Sequence, residues 1–181
     1  MRPTPVCALF LFALAIMACP TLGVAGAGQL HGGPALGGSV STGSSIPPSQ
    51  AGYSGLVAVS GAYGLNDTFR VYGHVHYALG VGKDALNTPR HEASLSAGLA
   101  YTLDVVSVLP WFGLGVQGAY VVTPQWNGVI PAVEVRAGVD WLLDRYFGLV
   151  FEAAYGLVFA NRSHVDNNVM ASAGVRWTVD L

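Results

Sequence analysis

The ionisable side chains of this sequence occur at even spacings inside apolar segments. Arg70, His74 and His76 lie two or four residues apart in one segment, and Glu134 and Arg136 lie two apart in another. Residues two apart project from the same face of an extended strand. We predict that these side chains form one charge network in the interior of the fold, with these members: Arg70, His74, His76, Glu134, Arg136, Asp140, Glu152 and Arg176.

One ion pair of this network follows from counting residues. A turn at Asp144-Arg145 joins the segment that contains Arg136 to the segment that contains Glu152. Counting back from that turn places Glu152 opposite Arg136 or one step diagonal to it, which is within reach of a neighbouring strand. We therefore predict an Arg136–Glu152 ion pair. We expect two further carboxylates, those of Glu134 and Asp140, to compete for Arg136 and Arg176.

His74 and His76 have a spacing that allows metal binding on a strand, because both rings lie on one face. The adjoining segments offer mostly serine, glycine and alanine at that level, whereas a zinc site needs three or four ligands. We therefore expect no metal and no cofactor, and either neutral or paired histidines. A pH-sensing role is the alternative, since histidine titrates near neutral pH.

The elements that position these residues are extended strands. From Tyr53 onward, apolar residues alternate with small or polar ones, and this period of two is typical of strands. A shift of one residue would place charges on the apolar face, so the register is well specified. The predicted strands cover residues 35–42, 53–65, 69–79, 92–103, 129–142, 147–159 and 171–181, and a further strand contains Pro110, where we expect a bulge before Trp111.

The composition indicates where the apolar faces point. The chain of 181 residues is 52% hydrophobic and only 10% charged, whereas a soluble domain carries about a quarter charged residues. No apolar run reaches the ~18 residues of a spanning helix, and a closed barrel is the other structure that crosses a bilayer. The sequence therefore predicts an all-β, eight-stranded antiparallel up-and-down transmembrane barrel, with bulky apolar side chains outward. A soluble lipocalin-like barrel is the structural alternative, and the net charge of −2 gives no reason to expect nucleic acid.

The connections and the aromatic residues favour the same topology. We expect short turns at Asn66-Asp67, Asp104 and Asp144-Arg145, and longer loops over residues 44–50, 80–91, 123–128 and 161–168. Alternating short and long connections are typical of transmembrane barrels. Outward aromatic residues should form two girdles at the membrane interfaces: Tyr63, Phe69, Tyr101, Trp141, Phe147 and Trp177 near the turns, and Tyr53, Tyr77, Tyr120 and Phe159 near the loops.

The first segment is typical of an export signal. Arg2 precedes an apolar stretch over residues 6–18, and small residues follow it. The predicted domains are a signal peptide over residues 1–27, cleaved after Ala25 or Ala27, and a barrel over residues 28–181. A lipoprotein signal with a lipidated Cys19 is the alternative. Both cysteines, Cys7 and Cys19, lie in this segment, so ordinary cleavage would leave no disulfide.

The C-terminal segment carries the most specific pattern in the chain. A polar residue, a glycine and alternating apolar residues follow one another there: Ser172, Gly174, Trp177, Val179 and Leu181. This pattern resembles the insertion signal of the small outer-membrane barrels, namely the OmpA transmembrane domain, OmpX and OmpW, although those families usually end in an aromatic residue. The architecture resembles them over about Ala35 to Leu181, without favouring one family. The resemblance implies a monomer in the bacterial outer membrane, surrounded by lipid and lipopolysaccharide and inserted by the barrel assembly machinery.

Three functions are compatible with such a barrel. The first is a structural or surface-interaction role with a polar, plugged lumen and no catalysis, and the second is a narrow channel for small solutes. The third is a lipid-A-modifying enzyme, for which the resemblance would require His-x-Ser on an outward strand face and an acidic residue. The sequence contains no His-x-Ser, and its nearest approach, Ser163-His164, lies in a predicted loop.

Overall fold

The strands of the protein close into one barrel. The computed structural model describes residues 29–42, 52–82, 89–103, 107–124, 127–144, 146–161 and 164–180. The strands are β1 (Gln29–Thr42), β2 (Gly52–Gly64), β3 (Phe69–Gly82), β4 (Pro89–Thr102), β5 (Val108–Val122), β6 (Asn127–Leu142), β7 (Phe147–Asn161) and β8 (His164–Asp180). Each strand pairs antiparallel with its sequence neighbours and β8 pairs with β1, which confirms the predicted all-β, eight-stranded barrel. The described residues contain no helix that is long and apolar enough to cross a membrane.

Closure of the sheet separates an inner face from an outer face. Along β6, buried residues such as Glu134 and Arg136 alternate with exposed ones such as Val133 and Val135, because successive side chains of a strand point to opposite faces. The outer wall is formed largely by exposed leucine, valine and aromatic side chains. The ten residues predicted for the girdles are all exposed or half-buried on this wall: Tyr53, Tyr63, Phe69, Tyr77, Tyr101, Tyr120, Trp141, Phe147, Phe159 and Trp177.

Two tight turns form at predicted positions, and each is stabilised by an asparagine or aspartate side chain. The side-chain oxygen of Asn66 accepts hydrogen bonds from the backbone N–H groups of Thr68 and Phe69, at 2.9 and 2.7 Å. Asp144 accepts from Tyr146 and Phe147 in the same way, at 2.7 and 2.8 Å. Such side chains stabilise turns by replacing a backbone acceptor. We call the end of the barrel with these turns the turn end, and the opposite end the loop end.

The loops predicted at the loop end are shorter than expected. Residues 80–82 belong to β3, residues 89–91 to β4, and residues 127–128 to β6. Only residues 162–163 separate β7 from β8, so the predicted loop over residues 161–168 is wrong. The physical reason is that backbone pairing between the strands continues beyond their apolar segments into residues with polar side chains. Asn167 and Asn168, for example, pair with Leu157 and Gly156.

Two other predictions about strands are also wrong. β1 begins at Gln29 and not at Ala35, because its glycine-rich first half pairs with β2 and β8 without an alternating apolar pattern to mark it. Pro110 forms no bulge, since β5 and β6 stay in register through the pair Pro110 and Val139. The Pro110 carbonyl accepts a hydrogen bond from Leu103 N at 2.8 Å. The irregular register lies instead between Val158 and Asn161, where β7 meets β8.

Several predictions fall on residues outside the described ranges. They are the signal peptide with Cys7 and Cys19, the loop over residues 44–50, Asp104, Arg145, Ser163 and Leu181. His164, the neighbour of Ser163, is the first residue of β8.

Candidate functional site

The polar interior of the barrel, its lumen, is the candidate site. The eight residues predicted for the charge network all lie on the inner face and none has more than 7% of its surface exposed. They are Arg70, His74, His76, Glu134, Arg136, Asp140, Glu152 and Arg176. The structure arranges them at three levels along the barrel axis, which we call the turn-end, middle and loop-side clusters.

The middle cluster consists of Tyr72, His74, Glu134, Arg136 and Glu152. Arg136 donates from Nε and Nη2 to the Glu134 carboxylate, at 3.3 and 3.1 Å. Its Nη1 lies 3.2 Å from Glu152 Oε1, and Tyr72 Oη donates to Glu134 Oε1 at 3.0 Å. The Arg136–Glu152 contact joins the neighbouring strands β6 and β7, whereas the Tyr72–Glu134 contact runs from β3 to β6 and crosses the lumen. The cluster therefore connects opposite walls of the barrel.

Glu152 joins two further strands to Arg136. Its Oε1 accepts a hydrogen bond from Ser172 Oγ of β8 at 2.8 Å and lies 3.2 Å from His74 Nε2 of β3. In the β6–β7 register Glu152 is opposite Gly138 and Arg136 is opposite Ala154. The predicted ion pair between Arg136 and Glu152 is thus present, and the two residues are diagonal to each other, which was one of the two expected arrangements.

Glycines of β4 and β5 make room for the Tyr72 ring. A Cβ at Gly98 would lie 2.6 Å from Tyr72 Oη, and a Cβ at Gly113 would lie 2.9 Å from Tyr72 Cε1. Both distances are shorter than ordinary van der Waals contacts, which are ~3.5–4.0 Å between carbon atoms. The ring therefore packs directly against the backbone of two strands, and this close approach allows its hydroxyl group to reach Glu134.

The turn-end cluster consists of Arg70, Trp111, Asp140 and Arg176. Arg70 Nη1 donates to Asp140 Oδ2 at 2.8 Å, and Arg176 Nη1 pairs with the same oxygen. Trp111 Nε1 donates to Asp140 Oδ1 at 3.2 Å, and the Arg70 guanidinium carbon lies 4.6 Å from the centroid of the Trp111 ring, a cation–π distance. Two guanidinium groups thus share one carboxylate, and the contacts again cross the lumen.

The loop-side cluster consists of His76, Arg90, Glu92 and Ser94. Arg90 Nη2 donates to Glu92 Oε2 at 2.7 Å, His76 Nε2 lies 3.5 Å from Glu92 Oε1, and Ser94 Oγ and His76 Nδ1 are 2.7 Å apart in a hydrogen bond. All four residues belong to β3 and β4. This cluster joins neighbouring strands and does not cross the lumen.

The lumen wall around and beyond the loop-side cluster is largely apolar. One group of buried side chains comes from β1, β2, β3, β7 and β8, and another comes from β5 and β6. The first group is Ala35, Leu56, Ala58, Ala78, Ala154 and Met170, and the second is Ala119, Val121 and Ile130.

Sequence reasoning missed five members of the interior, and one of them, Arg90 of the loop-side cluster, was assigned to the predicted loop over residues 80–91. Tyr72 and Glu92 lie on faces that the alternating pattern already assigned to the inside, so the signal for them was available. Trp111 was set aside with the expected bulge at Pro110, although its position in β5 is inward and only 6% of its surface is exposed. His31 lies before the predicted start of the first strand and no pattern marked it.

A cavity of about 40 Å³ is lined by residues of the turn-end and middle clusters and by His31. His31 has 3% of its surface exposed, and neither of its ring nitrogens has a hydrogen-bond partner. Within the described ranges, no group of three or more histidine, cysteine or acidic residues has a geometry that could hold a metal. The arrangement can hold charges across the lumen and can bind small polar species in the cavity.

The C-terminal pattern spans both faces of β8. Ser172 is buried in the lumen and donates to Glu152 as described, whereas Trp177 is exposed on the outer wall. A Cβ at Gly174 would lie 2.7 Å from Ala35 Cβ, so this glycine allows β8 to approach β1. Val179 belongs to β8 and pairs with Leu30.

Comparison with known proteins supports the fold. No family model matches the sequence, and no curated protein matches it. The crystal structure of Neisserial surface protein A (NspA) is similar, with a TM-score of 0.63 and 16% identity, over 82% of this chain and 96% of that chain. The outer membrane protein OprG from Pseudomonas aeruginosa has a TM-score of 0.61 and 12% identity, over 89% of this chain and 100% of that chain. At these identities the likeness establishes a shared fold, that of the small eight-stranded outer-membrane barrels.

Proposed function

We propose that this chain is an integral outer-membrane protein with a structural or surface-interaction role, and that its lumen is closed to solutes. The middle cluster is the observation that carries the proposal. Arg136 and Glu134 are each 1% exposed; Glu134 connects to β3 across the lumen and Arg136 connects to the neighbouring strand β7. An eight-stranded barrel is just wide enough to be filled by its own side chains, and here these side chains are held in place by charge. Catalysis forms no part of the proposal.

The outer wall supports a membrane location. Large apolar side chains are exposed around the barrel, among them Leu36, Leu95, Leu114 and Val129. Soluble monomers rarely expose contiguous apolar patches above a few hundred Å², whereas lipid tails cover such a wall at no cost. Lipid and lipopolysaccharide are therefore the surroundings that we propose, and the C-terminal pattern of β8 is proposed as the signal for the barrel assembly machinery.

We propose that residues 1–27 direct export and are then removed. The full chain, expressed in a Gram-negative host, should be recovered from the outer-membrane fraction with an N-terminus at Gly26 or Gly28. Lipidation would instead give a blocked N-terminus at Cys19. Recovery of the uncleaved chain from the cytoplasm in a folded, soluble form would contradict the location as well as the signal.

A closed lumen is testable in planar bilayers. The wild-type barrel should give no discrete conductance steps, because the charged side chains of the middle cluster block ion passage. The double variant Tyr72→Ala/Arg136→Ala removes the two largest side chains of that cluster and should conduct. Val135→Ala is the matched control, since Val135 is the outward neighbour of Arg136 on the same strand and its loss should leave the lumen closed.

A narrow channel for small solutes is the second candidate. The cavity favours it, because space for ions already exists on the turn side of the middle cluster. Discrete conductance of the wild-type barrel that changes in the single variant Arg136→Ala would support the channel and overturn the closed barrel. Boiled and unboiled samples on a gel would verify in each case that the variant is folded, because a closed barrel migrates differently before heating.

A further inference from the structure

We propose that the cavity between the turn-end and middle clusters is a binding site for one small inorganic anion, of the size of chloride, bromide or nitrate. This goes beyond a closed structural barrel, because it assigns the lumen a ligand. The site is formed by Arg70 and Arg176 on one side and by His31 on β1, all three of which line the cavity.

The charges that line the cavity favour an anion. Among the arginines that line the cavity, Arg136 has two carboxylate partners, Glu134 and Glu152, whereas Arg70 and Arg176 share the single carboxylate of Asp140. Asp140 is shared between two guanidinium groups and the Trp111 indole, so it neutralises only one of the two positive charges beside it. An unpaired charge in a protein interior is costly, and a bound anion next to Arg70 and Arg176 would remove that cost.

The carboxylates at the cavity already have their donors, whereas several donors lack an acceptor. Glu152 Oε1 is occupied by Ser172, His74 and Arg136. Arg70 Nε is buried and has no hydrogen-bond partner, and the same holds for both ring nitrogens of His31. Leaving a buried polar group without a partner costs free energy. A neutral imidazole has one N–H donor and one acceptor nitrogen, so Arg70 Nε and one ring nitrogen of His31 are donors without an acceptor, and a bound anion would accept from both.

The neighbourhood of His31 adds a neutral donor. Thr178 is the β8 residue directly opposite His31, it is 2% exposed, and its hydroxyl group has no partner either. A hydroxyl group turns freely to donate to a nearby acceptor. The site therefore combines two guanidinium groups with the His31 ring of β1, and the Thr178 hydroxyl group is a further neutral donor on β8 next to the cavity lining.

The size of the cavity limits the ligand. One water molecule needs roughly 10–15 Å³ by the same measure, so a cavity of about 40 Å³ has room for a halide or a nitrate together with one or two water molecules. A carboxylate of a sugar acid or a phosphate ester is too large. The proposal is thus restricted to small anions, and gluconate is a suitable inert counterpart.

Bromide is the probe for the first test. Crystals of the wild-type barrel grown in sodium bromide should show one anomalous difference peak in the cavity, between Arg70 and Arg176. In solution, replacing gluconate by bromide at constant ionic strength should raise the midpoint of thermal unfolding in a saturable manner, because a ligand that binds only the folded state stabilises it.

The second test uses matched variants. Arg176→Gln should weaken bromide binding by about tenfold or more, since it removes one charge-assisted hydrogen bond, and Arg176→Lys should recover part of the affinity. Arg90→Gln is the control: Arg90 is also a lumen arginine, but it belongs to the loop-side cluster and does not line the cavity, so this variant should bind bromide like the wild type.

Two outcomes would overturn the anion site. One is a wild-type crystal in bromide with ordered water but no anomalous peak in the cavity. The other is a bromide-dependent unfolding midpoint that Arg176→Gln and Arg90→Gln change equally, which would indicate a general salt effect. Both tests are independent of conductance, so the anion site and the closed lumen can fail separately.

Discussion

The turn half and the loop half of the lumen are filled by different chemistry. In the turn half, side chains of β3 contact β6 and β7 on the opposite wall, through the pairs Arg70–Asp140, Tyr72–Glu134 and His74–Glu152. Among the described side chains of the loop half, the charged contacts stay within β3 and β4, and alanine, leucine and methionine side chains form most of the remaining wall. The cross-section of the barrel is therefore fixed by directional contacts at one end and by packing at the other.

This difference has energetic consequences. Breaking a buried ion pair by removing one partner is strongly destabilising, because the other charge is left without compensation. Apolar interiors tolerate substitution when volume is kept. We therefore expect the turn half to be sensitive to the identity of each residue and the loop half to be sensitive mainly to volume.

The largest effect is expected for Asp140→Ala. Asp140 accepts hydrogen bonds from Arg70 and Trp111 and pairs with Arg176, so its removal leaves two buried guanidinium groups with no carboxylate between them. Loss of one partner from a buried pair costs about 3–5 kcal/mol. Urea unfolding of the barrel in lipid vesicles, followed by the shift between folded and unfolded bands on a gel, measures this loss.

A control for Asp140→Ala comes from the outer wall. Val139→Ala changes the adjacent residue of β6, which is exposed, and should cost far less. If Asp140→Ala were no more destabilising than Val139→Ala, the shared carboxylate would not be what holds the turn half together, and the contrast between the two halves would lose its main support.

The fold could be predicted from the sequence because the strands of a closed barrel alternate inward and outward residues with a period of two. Inward and outward residues alternate without exception in segments such as β6, so the face of Glu134, Arg136 and Asp140 followed directly. The pair Arg136 and Glu152 could be predicted as well, since one tight turn at Asp144 sets the register between the two strands.

Contacts across the lumen could not be predicted in the same way. Arg70 and Asp140 are on β3 and β6, and their approach depends on how the closed barrel brings these walls together, not on the register of neighbouring strands. Tyr72 reaches Glu134 only because glycines of β4 and β5 leave room for its ring. His31 was missed because β1 lacks the alternating apolar residues that mark the other strands.

A smaller effect is expected in the loop half, for Met170→Ala. Met170 is 4% exposed and packs with Leu56 and with alanines of four strands, so truncation leaves a cavity in the packed wall. Replacing a buried methionine by alanine typically costs about 2–5 kcal/mol, and we expect the lower part of that range, about 2–3 kcal/mol, because no buried charge loses its partner. The same urea unfolding in vesicles measures the change.

The variant Met170→Leu tests whether stability at this position depends on side-chain volume or on the identity of the residue. Volume-conserving apolar exchanges usually cost less than about 1.5 kcal/mol, so this variant should stay near the wild type, since only volume matters at that position. In the turn half the corresponding conservative exchange, Asp140→Asn, keeps the shape but removes the charge that Arg70 and Arg176 share, and it should remain clearly destabilising. Equal effects of these two exchanges would mean that both halves of the lumen are held by packing alone, because shape is all that the exchanges have in common.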